Sequence, residues 1–415
     1  MIKLKNMKKT PSPLAYDNCI HRAGWVVPDP WTCIENGYVL VEAGKIRATG
    51  QCGRTSPSTE NYPLFDHGPG ALIPALVNAH THLELSCFKD KVTCKQGFER
   101  WVRELLYLRE NSSATEMTAG ATRALVEALE TGTGALCEIS SLGLTADVTS
   151  TSGLYGIWCR ELLGDLTADL DTSPRKLSGN IKGSLAGHAP HTLSPELAKH
   201  LKQVVDKYSV PFFIHLSESV EEMEFIGTGR GSWADFLTSR GIDFSAWGLP
   251  SRSPVAYLDR LGLLNGNTVA VHVLQVDQTD LDILVRQRTK VCLCPRSNQA
   301  LHGLLPDIPE MLIRGIQPCL GTDSLASVPT LDMFDEMACI AANYNSIQPS
   351  QILQMATING AAALGGCVTG TITCGVESSM VYVPVNGTSP RQILESIVNK
   401  DFKRPCISLL PEAPV

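Results

Sequence analysis

Ala71-Leu72-Ile73-Pro74-Ala75-Leu76-Val77-Asn78-Ala79-His80-Thr81-His82-Leu83-Glu84-Leu85-Ser86 is an apolar run that ends abruptly in His-x-His. A run rich in Leu, Ile and Val reads as a buried strand. Side chains alternate faces along a strand, so His80 and His82 leave its C-terminal end on the same side. Two imidazoles so placed are half of a metal site. The competing reading is a pair of core histidines satisfied by backbone. The pair alone does not choose between them; the chain around it does.

Further strand-like runs lie at 135–140, 153–159, 184–188, 210–215, 268–272, 291–294 and 318–321, with helical patterns between most of them. One helix is predicted over 195–208, where Leu197, Leu201, Val204, Val205 and Tyr208 share a face after a capping Ser194. Another covers 115–131. Eight strands alternating with helices predict an α/β fold, a parallel (β/α)8 barrel of TIM type with its active site at the strands' C-terminal ends. Outside 71–368 the style changes. Short strands punctuated by Gly, Pro and Asn occur at 24–28, 37–42 and 45–50, and again at 370–372 and 379–383. Residues 1–70 and 369–415 are therefore expected to form one small β-sandwich from both termini. The stretch 227–260 interrupts the alternation with five Gly, two Pro, Trp233 and Trp247. It reads as a substrate cover or as an ordered surface insertion.

The chain has 415 residues, 43% hydrophobic and 19% charged, which is ordinary for a globular protein. Its net charge of -7 argues against a nucleic-acid or anionic-membrane partner, because either wants a basic patch. No run of 18 uninterrupted apolar residues occurs, so no membrane span is expected. The basic start, Met1 to Lys9, lacks the apolar core of a signal peptide. Fourteen cysteines are scattered singly through core-like segments without a Cys-x-x-Cys, and read as reduced thiols of a cytoplasmic protein.

Five of the ten histidines fall at or near a strand's C-terminal end: His80, His82, His188, His215 and His272. The eighth strand ends in Gly321-Thr322-Asp323-Ser324. A closed barrel brings these ends to one mouth. We assign His80, His82, His215 and Asp323 as metal ligands, a donor set that suits Zn²⁺ and tolerates Fe²⁺. Glu218, three residues after His215, is placed to carry protons as general acid and base, or is a solvated loop carboxylate. His272 polarises the substrate or the attacking water, or is a satisfied core histidine.

Together, His80-Thr81-His82, His188-Ala189-Pro190-His191, His215-Leu216-Ser217-Glu218, His272, Cys294-Pro295-Arg296-Ser297-Asn298 and Gly321-Thr322-Asp323-Ser324 resemble the amidohydrolase superfamily. The resemblance covers almost the whole chain and lies in the aminohydrolase and chlorohydrolase branch of cyclic deaminases. It implies one divalent metal on His80, His82, His215 and Asp323, with Glu218 and His272 catalytic and His188 contacting substrate. Two departures stand out: Ala75 replaces the usual Gly after Pro74, and His191 replaces the usual Tyr. Binuclear relatives carry a carboxylated Lys on the fourth strand, whereas here Lys182 precedes that strand's core. One metal is expected. With Glu84 in His-Thr-His-Leu-Glu, the chain looks most like 6-aminodeoxyfutalosine deaminases of menaquinone biosynthesis, the alternative being S-adenosylhomocysteine or methylthioadenosine deaminases. Such a substrate gives work to Glu84 beside the metal pair, to Arg160 and Glu161, to Arg296, Ser297 and Asn298, and to Trp101. Each of the arginines serves equally as a structural ion pair, and Trp101 as packing. A homodimer through the barrel helices is the expected assembly.

Overall fold

A computed structural model describes residues 18–53, 56–403 and 406–409. The expectations for residues 1–17 and 410–415, including the basic start, lie outside the described residues. The chain opens with strands β1 (Asn18–Asp29), β2 (Thr32–Glu42), β3 (Lys45–Gln51), β4 (Leu64–Asp66) and β5 (Ala71–Pro74). The barrel follows with β6 (Leu76–Thr81), β7 (Thr133–Ser140), β8 (Tyr155–Leu162), β9 (Ile181–Gly187), β10 (Phe212–Leu216), β11 (Thr268–His272), β12 (Lys290–Leu293) and β13 (Cys319–Leu320). Strands β14 (Met380–Val383) and β15 (Ile407–Leu409) return to the first group.

β6 to β13 pair in sequence order, each parallel to the next. The seam between the last and the first closes at the C-terminal end. There Thr81 bridges Asp323, and the Thr322 and Asp323 N–H groups both donate to His80 O, at 3.0 and 3.1 Å. Alternation sets each strand's two duties. On β10, Phe212, Ile214 and Leu216 pack outward with Leu197, Leu201 and Val205 of the helix Pro195–Lys207. Phe213 faces the barrel interior with Cys137, Ile157, Cys159, Val271 and Cys292, and His215 on the same face reaches the mouth. Small thiols suit this narrow interior, and all fourteen cysteines are free.

The terminal unit is a single hydrogen-bonded sheet in the order β15-β14-β5-β1-β2-β3, with β4 also on β1. It folds over a core of Cys19, Val26, Val39, Ile46, Leu72, Met380 and Tyr382. The bridge between Lys45 and Glu377 brings its far wings together.

Three differences from expectation have local causes. The run 71–78 is two strands: Leu72 pairs with Val26 and Tyr382 in the terminal sheet, and Leu76 starts the barrel by donating to Gly132 O at 2.9 Å. The chain therefore passes into the barrel at Ala75. Residues 370–372 form no strand, although the Ile372 N–H still reaches Pro28 O at 2.8 Å. Between β14 and β15 stands a helix, Pro390–Val398, capped by Ser389 and burying Ile393, Ile397 and Val398 against the barrel's outer layer. Among the described residues no helix is long and apolar enough to cross a membrane.

Candidate active site

His80 lies one residue before the end of β6, His82 follows that strand, and His215 stands on β10. His215 Nε2 lies 3.3 Å from both His80 Nε2 and His82 Nε2. Asp323 Oδ1 is 3.9 Å from His80 Nε2 and 3.7 Å from His82 Nε2. The second nitrogens explain the arrangement. His82 Nδ1–H donates to Ile139 O at 3.2 Å and His215 Nδ1–H to His188 O at 2.7 Å. Those bonds place the proton on Nδ1 and leave each Nε2 lone pair pointing at the others. With His80 Nε2 and the Asp323 carboxylate beside these two lone pairs, all buried, the cluster is suited to a cation. Burial, and then His82 and the other imidazoles, hold His80 well below the ordinary histidine range, so it presents a neutral nitrogen. The donor set fits a divalent metal of Zn²⁺ type.

The backbone is shaped to the same end. His272 and Asp323 stand at φ of 74° and 60°, and Ser217 and Val273 at 54° and 46°. Non-glycine residues in this left-handed region are uncommon, and a β-branched one is an outlier. Four of them at strand ends around one cluster mark strain held by the fold at a functional site.

Glu218 Oε1 lies 3.7 Å from His272 Nε2. Burial by itself raises its carboxyl, but His272 and His302 outweigh that and bring it below the ordinary carboxylate range. His272 is fixed from behind, with Nδ1 2.8 Å from Asn298 Oδ1. Above the cluster opens a cavity of about 290 Å³, floored by His82, His188, His215, Glu218, His272 and Asp323. Its walls are Phe98, Trp101 and Leu105 from one side and Trp233, Phe236 and Leu237 from the other.

Residues 71–404 match the model of the amidohydrolase family. This chain belongs to that family. Amidohydrolases of this kind are hydrolases of carbon–nitrogen bonds. The chain is 29% identical to 5'-deoxyadenosine deaminase of Methanopyrus kandleri, over 77% of this chain and 74% of the relative. It is 28% identical to 5-methylthioadenosine/S-adenosylhomocysteine deaminase of Haloarcula marismortui, over 88% and 84%. The fold of Helicobacter pylori aminofutalosine deaminase in complex with methylthio-coformycin superposes with a TM-score of 0.80 at 21% identity, covering 96% of this chain and 100% of that one.

In this amidohydrolase the other residues singled out from the sequence separate into two groups. Trp101, Glu161 and His188 line the cavity. Trp101 Nε1 donates to Ala326 O at 3.1 Å, which anchors the indole near the floor. Glu161 accepts from Ser141 Oγ at 2.6 Å, and its Oε1 has no hydrogen-bond donor. Burial raises its carboxyl, yet His188, His82 and His215 bring it down to about 2. His188 Nδ1 is bonded to Thr192 Oγ1 at 2.7 Å.

Glu84, Arg160, Arg296, Ser297 and Asn298 are not in the wall. Glu84 accepts from Ser140 Oγ and from the backbone N–H groups of Leu142 and Leu144, because a 3₁₀ turn (Leu83–Phe88) replaces the strand after His82. Arg160 points out to solvent beside Gly143, since alternation on β8 turns Glu161 inward. Arg296 is drawn to Asp335 and Glu336, at 3.7 and 3.5 Å. Ser297 donates to Asp323 Oδ2 at 2.5 Å, and Asn298 holds His272.

Within the insertion 227–260, the helix Ser232–Ser239 supplies one wall of the cavity. The sequence reading missed His302, whose Nε2 is 3.4 Å from Glu218 Oε1 and whose ring packs on Phe98. It also missed Glu222, which accepts from the Ser217 and Glu218 N–H groups and so aims the Glu218 loop. Neither carries a sequence signal: Glu222 sits in an acidic trio, and His302 lies 84 residues from its partner.

Proposed function

We propose that the protein is a divalent-metal-dependent hydrolytic deaminase of an aminopurine nucleoside. One observation carries the reading. Three imidazole Nε2 atoms and Asp323 converge at one barrel mouth, with Glu218 and His272 beside them, under an aromatic-walled cavity. His80, His82, His215 and Asp323 would hold the metal. A single site is favoured because Lys182 is exposed at the far end of β9. Bound there, a divalent cation makes a water nucleophilic at neutral pH. Zn²⁺ is the expected ion and Fe²⁺ is tolerated.

The protein's own groups do the rest. Ser297 and Ser327 occupy Asp323 Oδ2, at 2.5 and 3.1 Å, and leave Oδ1 toward the imidazoles. Glu218 takes a proton from the attacking water and passes it to the ring nitrogen next to the amino-bearing carbon. Each such transfer is worth roughly 10²–10⁴-fold. His272, oriented by Asn298, steadies the tetrahedral centre as it forms. One water is consumed, ammonia leaves, and an oxo group replaces the amine. Trp101 and Trp233 line the pocket for the base, His188 contacts it, and Glu161 Oε1 accepts a substrate hydroxyl. The free thiols support a reducing, cytoplasmic location.

We take 6-aminodeoxyfutalosine, in menaquinone biosynthesis, as the leading substrate. The activities named for the sequence relatives favour a second reading, 5'-deoxyadenosine, methylthioadenosine or S-adenosylhomocysteine. Ammonia release from these compounds, adenosine and guanine, by wild type and Asp323→Ala, tests both. Turnover of the first, lost in the variant, supports the leading reading, and turnover of the others moves the substrate. Silence across the panel from metal-loaded protein refutes an aminopurine deaminase.

A further inference from the structure

The cavity wall carries a charge that the chemistry above does not use. The helix Phe98–Glu110 turns Phe98, Trp101, Val102, Leu105, Leu106 and Arg109 to the cavity, all on one helical face. Five of these are apolar or aromatic, and the sixth is a cation. Arg109 is half-buried, and among the described residues its guanidinium has no hydrogen-bond or ion-pair partner. Its neighbours are engaged. Arg103 pairs with Glu99 at 2.8 Å, and Arg240, also on the cavity wall, pairs with Glu110 at 3.5 Å. The second pair ties the end of this helix to the end of Ser232–Ser239, so the two arginines share one rim. Glu110 is already answered by Arg240, which leaves the rim with a positive charge to spare. A helix C-terminus favours a cation anywhere around its last turn. That preference does not explain why this one continues an apolar stripe into a cavity.

We propose that Arg109, with Arg240 beside it, receives a carboxylate at the far end of the substrate. The site then selects an aminopurine nucleoside whose 5′ substituent ends in an acid. The inference rests on the deaminase reading above and sharpens it. Trp101 is anchored near the metal ligands, and Arg109 lies eight residues further along, about 12 Å at the helical rise. The acid is thus remote from the reacting carbon, and its role is recognition. A guanidinium meets a carboxylate with two parallel bonds, strengthened by the apolar wall. A short neutral nucleoside leaves it unused.

The test is steady-state kinetics of metal-loaded wild type, Arg109→Gln and Arg109→Lys on 6-aminodeoxyfutalosine and its methyl ester, which lacks the charge at that end and adds one methyl group. Wild type should prefer the acid. Arg109→Gln should raise KM for the acid by about 10–100-fold, the range of a hydrogen bond between charged groups, with kcat and the ester's constants unchanged. Arg109→Lys should recover part of the loss, keeping the charge without the fork. Equal turnover of acid and ester by wild type, or equal damage to both in Arg109→Gln, overturns the carboxylate subsite and leaves the deaminase reading standing. Turnover of neither compound removes 6-aminodeoxyfutalosine as the substrate and overturns the subsite, while the deaminase reading is then decided by the rest of the panel.

Discussion

Asp323 shows how much one residue here depends on its neighbours. Its backbone sits in the left-handed region, a conformation that costs on the order of 1–3 kcal/mol for a non-glycine residue. Its N–H bond to His80 O and the hydroxyls of Ser297 and Ser327 hold it there. Ser297 thus meets the site through Asp323 and stands outside the cavity wall. Ser297→Ala should weaken metal retention by about 10–100-fold, the usual effect of losing such a partner, while leaving the fold intact. Competition with a chelator, alongside circular dichroism, measures both; unchanged retention would show that Ser327 alone suffices. The convergence of His80, His82, His215 and Asp323 was legible because these residues end apolar runs and strand alternation fixes where they point. Glu84, Arg160 and Arg296 were misplaced because each sits where that rule fails or reverses. Glu84 follows the strand's conversion to a 3₁₀ turn, Arg160 is the outward half of an alternating pair, and Arg296 opens a helix after Pro295.

Among elements, the seam between β13 and β6 is the one the site can least afford to lose. Gly321 lets them meet: a Cβ there would lie 2.7 Å from His80 Cβ and 2.7 Å from His80 O. Gly321→Ala must push the eighth strand off His80, and overpacking of this kind costs about 1–3 kcal/mol. The expected outcome is a lower melting temperature together with lost metal, seen by calorimetry and elemental analysis; native values for both would mean that the seam yields freely. The terminal sheet has its own sensitivity. His21 on β1 is buried against His67, with Nδ1 2.9 Å from His67 Nε2. Burial, then His67, lowers it to about 3 from the ordinary 6.5. A folded-state value below the unfolded one means that the unfolded chain binds the proton first. The stability is full above pH 6.5 and is lost as pH falls from there toward 3. His21→Gln should flatten the melting temperature's dependence on pH between 7 and 4 relative to wild type; parallel curves would contradict it. The split of 71–78 between this sheet and the barrel was hidden because both halves are uniformly buried, and an apolar run does not reveal which sheet buries it.

For the whole molecule, the barrel and its sheet of both termini were readable from periodicity, since eight strands in sequence order allow few other closures. The cavity's outer wall was not. It is made by helices from the first and fifth strand connections, and which face of each turns inward depends on how they pack across the mouth. Arg109 ends such a face, and only the assembled wall separates it from an ordinary surface arginine. The proposed deaminase holds one metal, on His80, His82, His215 and Asp323, at one hydrolytic centre. This is tested most directly by titrating Zn²⁺ into chelator-stripped protein while following ammonia release from the best substrate of the panel. Activity should be absent at the start, rise in proportion to added metal, and level off at one equivalent per chain, with no response in Asp323→Ala. Full activity in the stripped protein, or a rise that continues to two equivalents, would contradict it.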